Sequence, residues 1–116
     1  MARLTDREIL TCYHNALANW QFAGFIDFSP LAAEWLRKEL NEPQRDFARR
    51  LRDFIQAGGE IDQVVETRPE WNVWPHHYDL RPTVNGRVLY VETRIKYSDP
   101  SDPDDPVITV VNIHLT

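Results

Sequence analysis

The stretch His77-Tyr-Asp-Leu-Arg-Pro-Thr-Val-Asn-Gly-Arg-Val-Leu-Tyr-Val-Glu-Thr-Arg94 decides the fold of this chain. Asn85-Gly86 between two alternating runs is the strongest short hairpin signal, because a type I′ turn needs positive φ at both central residues. Counting outward from a two-residue turn pairs Val84 with Arg87, Pro82 with Leu89, Leu80 with Val91 and Tyr78 with Thr93 on a mostly apolar face. The other face pairs Thr83 with Val88, Arg81 with Tyr90, Asp79 with Glu92 and His77 with Arg94. Val107-Ile-Thr-Val-Val-Asn-Ile-His-Leu115 reads as a third strand. Of its two parities, Val107, Thr109, Val111, Ile113 and Leu115 make the better core face, which leaves Asn112 and His114 with the polar residues.

Upstream of Trp71 the apolar period is helical. Thr5-Asp-Arg-Glu8 is a capping box opening a helix to about Asn19, with Ile9, Tyr13, Ala16, Leu17 and Trp20 as its stripe. Gly24 and Asp27 mark a connection, and Ser29-Pro30 supplies an N-cap and a first-turn proline. A second helix is expected over Leu31 to Leu40 with Leu31, Trp35 and Leu36 inward. Pro43 opens a third, carrying Phe47, Leu51, Phe54 and Ile55, and Gly58-Gly59 stops it. Ile61, Val64 and Val65 are read as one or two further helical turns ended by Pro69. The basic run Arg45, Arg49, Arg50, Arg52 lies across the third helix from its apolar stripe. It is either a phosphate-facing stripe or a solvated face.

The 116 residues are the size of one domain, 1–116, with a helical part over 1–67 and a sheet over 71–116. The class is α+β: N-terminal helices on a C-terminal antiparallel sheet of three to four strands. No apolar run approaches the roughly 18 residues of a membrane span, and the start leads into a polar helix rather than a signal segment. A cytoplasmic location without membrane contact follows as an expectation. Cys12 is the only cysteine, which excludes an intramolecular disulfide and disfavours a cysteine-based zinc site. The net charge of −5 weighs against nucleic acid, whose binding draws on Lys and Arg. Four Asp sit within residues 98–106, however, and Arg81, Arg87, Arg94 and Lys96 line the two hairpin strands, so a locally basic face is compatible with it.

The polar face gathers His77, Asp79, Arg81, Tyr90, Glu92, Arg94, Asn112 and His114. Like charges directly opposite each other destabilise a sheet, and Arg81 and Arg94 are placed to compensate Asp79 and Glu92. A solvated face held by salt bridges is the plain alternative. Without a nucleophilic Ser or Cys, the set suits metal-free cleavage of RNA, in which one group takes the 2′-OH proton and another protonates the departing 5′ oxygen. His77, Tyr90, Glu92 and His114 are the catalytic candidates, with His77 and His114 as proton carriers. Arg81 and Arg94 are the phosphate holders, Asp79 and Asn112 complete the substrate side, and Trp71 and Trp74 offer stacking surfaces for a base. His76 and His77 point to opposite faces and do not easily share a metal. A site from His77, Asp79, Glu92 and His114 is geometrically conceivable, and Asp79 with Glu92-Thr93-Arg94 faintly resembles restriction-type nucleases, with Arg where their pattern has Lys. The metal-free scheme ranks higher, and no cofactor is expected.

Trp74-Pro-His-His-Tyr-Asp-Leu-Arg81, Asn85-Gly-Arg-Val-Leu-Tyr-Val-Glu-Thr-Arg94 and Ile108-Thr-Val-Val-Asn-Ile-His114 resemble the RelE-like toxins of the barnase, EndoU, colicin and RelE group. The resemblance covers about residues 70–116 and is nearest to the MqsR-like branch and to a neighbouring branch of uncharacterised domains. It implies helices packed on an antiparallel sheet, metal-independent RNA cleavage, and an antitoxin or other protein as partner. It places Tyr90 on the strand tyrosine of the MqsR-like site, His114 on its terminal lysine, and His76 or His77 near its polar residue after tryptophan. No lysine precedes Trp71 where those toxins carry one, and the helical half is longer than theirs. A non-catalytic protein- or RNA-binding module on the same scaffold is the alternative.

Overall fold

Tyr13, Ala16 and Leu17 are buried along one side of α1 (Arg7–Ala18), as the helical period requires. The computed structural model describes residues 2–3, 7–20, 25–69, 76–97 and 106–116; Thr5, Trp71 and Trp74 lie outside them. α2 (Pro30–Trp35) begins at Ser29, whose hydroxyl accepts from the Ala32 amide at 3.1 Å. It runs on through a wider π-helical turn, Leu36–Leu40, and ends at Asn41 in the left-handed region. Its inward positions are Ala32 and Leu36, one turn apart, whereas Leu31 is 63% exposed rather than inward. α3 (Gln44–Gln56) buries Phe47, Ala48, Leu51 and Ile55. Gly59 follows because a Cβ there would meet the Phe54 ring and carbonyl at 2.5 Å.

The class is α+β, with helices mostly in the first half and strands mostly in the second. The described sheet is larger than three or four antiparallel strands. Its order is β1 (Ala2–Arg3), β3 (Ile61–Val65), β4 (His76–Leu80), β6 (Arg87–Tyr97), β7 (Pro106–Leu115) and β2 (Ile26–Phe28), with β5 (Thr83–Val84) on β6. β2, read from sequence as part of a connection, pairs parallel to β7, which makes the sheet mixed. β3 is a strand where further helical turns were expected. Its β-branched Ile61, Val64 and Val65 suit a pleated surface, and Gly58 at φ +89° has already ended the helix. The sheet therefore draws on the first 67 residues as well.

The hairpin register agrees with the count from the turn. Asn85 and Gly86 have φ of 53° and 78°, as a type I′ turn needs, and Thr83↔Val88, Val84↔Arg87, Leu80↔Val91, Asp79↔Glu92 and Tyr78↔Thr93 are opposed. In β7, Tyr90↔His114 and Glu92↔Asn112 hold, but the next pair is Thr93↔Val110, which leaves Val111 as an extra residue in a β-bulge. The bulge changes the parity. Ile108 and Val110 join Ile113 in the core, and Thr109 falls opposite Arg94, contrary to the single alternation read from sequence. Leu115, expected in the core, is 46% exposed at the strand end. Ser29 ties the bulge down: its hydroxyl donates to the Val111 carbonyl at 2.6 Å and its amide to the Val110 carbonyl at 2.9 Å.

The core lies between the helices and one sheet face, where Tyr13, Leu17, Leu36, Phe47 and Leu51 meet Leu80, Leu89, Val91, Val110 and Ile113. The Tyr13 hydroxyl reaches Thr93 Oγ1, which donates to the Tyr78 carbonyl at 2.6 Å. Burial pushes the Tyr13 phenol above the usual tyrosine range. No helix among the described residues is long and apolar enough to cross a membrane.

Candidate active site

Register places a rank of carboxylates across the face away from the helices: Asp62 opposite Asp79, Asp79 opposite Glu92, and Glu92 opposite Asn112. Asp79 and Glu92 are 1% and 5% exposed, so the middle of this face is enclosed, while His114 at its edge is exposed. Buried acids in contact survive only when each is matched, and here each has its own partners. Asp62 accepts from Arg81. Asp79 takes His77 Nδ1 on one oxygen at 2.7 Å and the Tyr90 hydroxyl on the other at 2.6 Å. Glu92 Oε2 accepts from Arg68 and, at 3.2 Å, from Arg94.

Arg94 also donates to Glu66 and, at 3.3 Å, to the His76 carbonyl. Glu66 in turn receives the Arg68 side chain and amide at 2.9 and 2.8 Å. The Arg68 guanidinium, helped by Arg94, holds the Glu66 carboxyl far below the usual carboxylate range. Glu66, Arg68, Glu92 and Arg94 thus form a charge-balanced cluster in which both acids and Arg94 are enclosed.

Beside this cluster lies a chain of contacts over three strands. His77 leads to Asp79, Asp79 to Tyr90, and Tyr90 to His114, whose ring stacks on the phenol at 4.6 Å and 23°. The Arg81 guanidinium lies 5.4 Å from the Tyr90 ring centroid. Desolvation, then the bond to Asp79, pushes the Tyr90 phenol above its usual range, so it stays a proton donor at neutral pH. His77 Nδ1 faces a carboxylate and His114 Nδ1 faces the Leu115 carbonyl at 2.9 Å. Both partners only accept, so each neutral imidazole carries its proton on Nδ1 and keeps a lone pair on Nε2. A cavity of about 330 Å³ borders Asp62 and Arg81, lined also by Phe54, Gly58, Gly59 and Glu60.

The structure brings together His77, Asp79, Arg81, Tyr90, Glu92, Arg94, Asn112 and His114 on one face, and the Trp71 and Trp74 candidates fall outside the described residues. His76 pairs with Val65 and its ring lies against Tyr78, on the core side from His77. Arg81, expected with Arg94 to compensate the Asp79–Glu92 pair, is bonded to Asp62. Asp62, Glu66 and Arg68 are the additions. The alternation of Ile61-Asp-Gln-Val-Val65 would have brought Asp62 onto this face had it been read with period two. Among the described residues no three His, Cys, Asp or Glu side chains are grouped to hold a metal ion, the His77, Asp79, Glu92 and His114 set included.

Comparison of the chain with protein-family models, with curated proteins and with solved structures finds no match in any of the three.

Proposed function

We propose that the chain is a RelE-like, metal-independent endoribonuclease of the toxin–antitoxin kind, acting in the cytoplasm through the His77–Asp79–Tyr90–His114 face. The observation that carries the reading is the unbroken contact chain linking two imidazoles through a buried carboxylate and a phenol. In this scheme one imidazole takes the 2′-OH proton at Nε2. The 2′ oxygen then attacks phosphorus, the bond to the 5′ oxygen breaks, and the second imidazole protonates the leaving oxygen, giving a 2′,3′-cyclic phosphate. Asp79 orients His77, and Tyr90 donates to Asp79 while supporting His114. Arg81 meets the charge growing on phosphate. Glu92 and Arg94, candidates for direct action from sequence, serve as the floor, since each is engaged by buried partners.

The test is expression of the wild type beside His77→Ala, His114→Ala and Tyr90→Phe, with growth and RNA ends followed. Arrest and 2′,3′-cyclic ends from the wild type, reduced about 10²- to 10⁴-fold by either histidine substitution, are expected. A folded wild type that neither arrests growth nor cuts RNA removes the nuclease reading. A non-catalytic binding module is favoured by one observation: Arg68, Arg81 and Arg94 are already held by carboxylates, and a phosphate must compete for them. Binding of RNA or of a protein antitoxin with no cleavage under any condition selects it.

A further inference from the structure

The basic run of α3 is not absorbed by the sheet face, and the structure orders it. Arg45, Arg49 and Arg52 stand at i, i+4 and i+7, so they form one stripe along the helix, beside the face that buries Phe47, Ala48, Leu51 and Ile55. Arg50 leaves the stripe and pairs with Glu42 at 2.8 Å. Trp20, at the end of α1, is only partly buried and lies under the stripe: the Arg45 guanidinium is 5.5 Å and the Arg52 guanidinium 5.7 Å from its ring. Arg45 and Arg49 are exposed and enter no ion pair among the described residues. Arg52 has the exposed Asp53 at 2.8 Å, a pair weakened by solvent. Asp46 and Asp53 flank the stripe on one side.

We infer that this stripe is a second contact for RNA, in which Arg45, Arg49 and Arg52 take successive phosphates of a single strand and Trp20 steadies the Arg45 and Arg52 guanidinium groups. The inference rests on the proposed action on RNA and names a site apart from the catalytic face. A chain with net charge −5 has little reason of solubility to line up three arginines, while an anionic polymer matches them. Guanidinium groups already attracted to the face of an indole lose less freedom on binding and keep N–H donors for phosphate oxygens. A positively charged track along the backbone is how single strands are bound without regard to sequence.

The test uses the full chain and a fluorescent single-stranded RNA carrying 2′-O-methyl groups, which cannot be cleaved by 2′-OH attack. Arg45→Gln/Arg49→Gln is expected to weaken binding at low salt at least tenfold. It should also lower the slope of log affinity against log salt by roughly 1.4, about 0.7 for each phosphate that is no longer neutralised. Arg37→Gln, which removes an exposed arginine paired with Glu34 away from both sites, should bind as the wild type does. Trp20→Leu, checked for folding by circular dichroism, should lose about fivefold or more. Unchanged affinity and slope in the double arginine variant overturn the inference, as does stripe-dependent capture of a polyglutamate peptide with no RNA binding. Stripe-dependent binding by a wild type that cleaves nothing leaves the stripe standing and removes the nuclease reading. Cleavage and binding that ignore the stripe do the reverse.

Discussion

Asp79 and Glu92 stand directly opposite each other on neighbouring strands, both buried, and their partners divide without sharing. Asp79 is held by a histidine and a phenol, groups that can exchange protons, while Glu92 is held by two guanidinium groups that cannot. One acid of the pair is thereby suited to chemistry and the other to support.

The support half has a stability signature. Arg94→Met leaves Glu66 and Glu92 short of a cation in an enclosed place and should cost about 3–5 kcal/mol, read from urea unfolding. Adding Glu66→Gln to that variant should cost less than the sum of the two single changes. Strict additivity would show that Glu66 and Arg94 do not act as a unit.

Acid should find the same cluster. The Glu66 carboxyl is held well below its ordinary value of 4.5, chiefly by Arg68. A carboxyl whose pKa is depressed by folding contributes stability that is complete above the unfolded value and drains away as pH falls toward the folded one. Unfolding free energy should therefore drop more steeply below about pH 4.5 in the wild type than in Glu66→Gln. Parallel curves from pH 6 to 3 would reject the assignment.

For the chemical half, Asp79→Asn keeps the volume but no longer offers His77 an acceptor of the same strength. On the proposed nuclease reading, cleavage should fall by about 10²–10⁴-fold, and the pH profile should change shape rather than merely height. Tyr90→Phe should cost less, since the His114 stack survives. A uniformly lowered profile in both variants would mean that Asp79 acts only through stability.

Ser29 joins a helix cap to a sheet irregularity, so Ser29→Ala should cost about 1–3 kcal/mol, more than an ordinary cap. Ser29→Asp restores the cap acceptor but cannot donate to the Val111 carbonyl, and should recover only part of the loss in thermal unfolding. Full recovery would assign the whole effect to the cap.

What sequence reasoning reached, and where it stopped, follows from the range of each signal. Asn85-Gly86 is local and carries its register with it, which is why Asp79 opposite Glu92 is legible from the turn alone. Ile61-Asp-Gln-Val-Val65 is too short to separate helix from strand by period, and only its long-range pairing with β4 settles it, so Asp62, Glu66 and Arg68 stayed out of view. Leu31 misled because a turn beginning at Pro30 has only a few positions from which to choose a face. β2, three residues long and parallel to a strand some eighty residues away, leaves almost no local trace.

Val111 bears on how this chain compares with any other. Hydrophobic alternation is a message read two letters at a time, and the bulge is a frameshift inside it. The first half of β7 is written in the frame of the helices and the last four residues in the frame of the acids. A pattern search that carries the frame of Ile108 and Val110 on to the end of the strand will set His114 among core residues and pass over it, while an alignment that allows one odd letter at Val111 will bring it beside Tyr90.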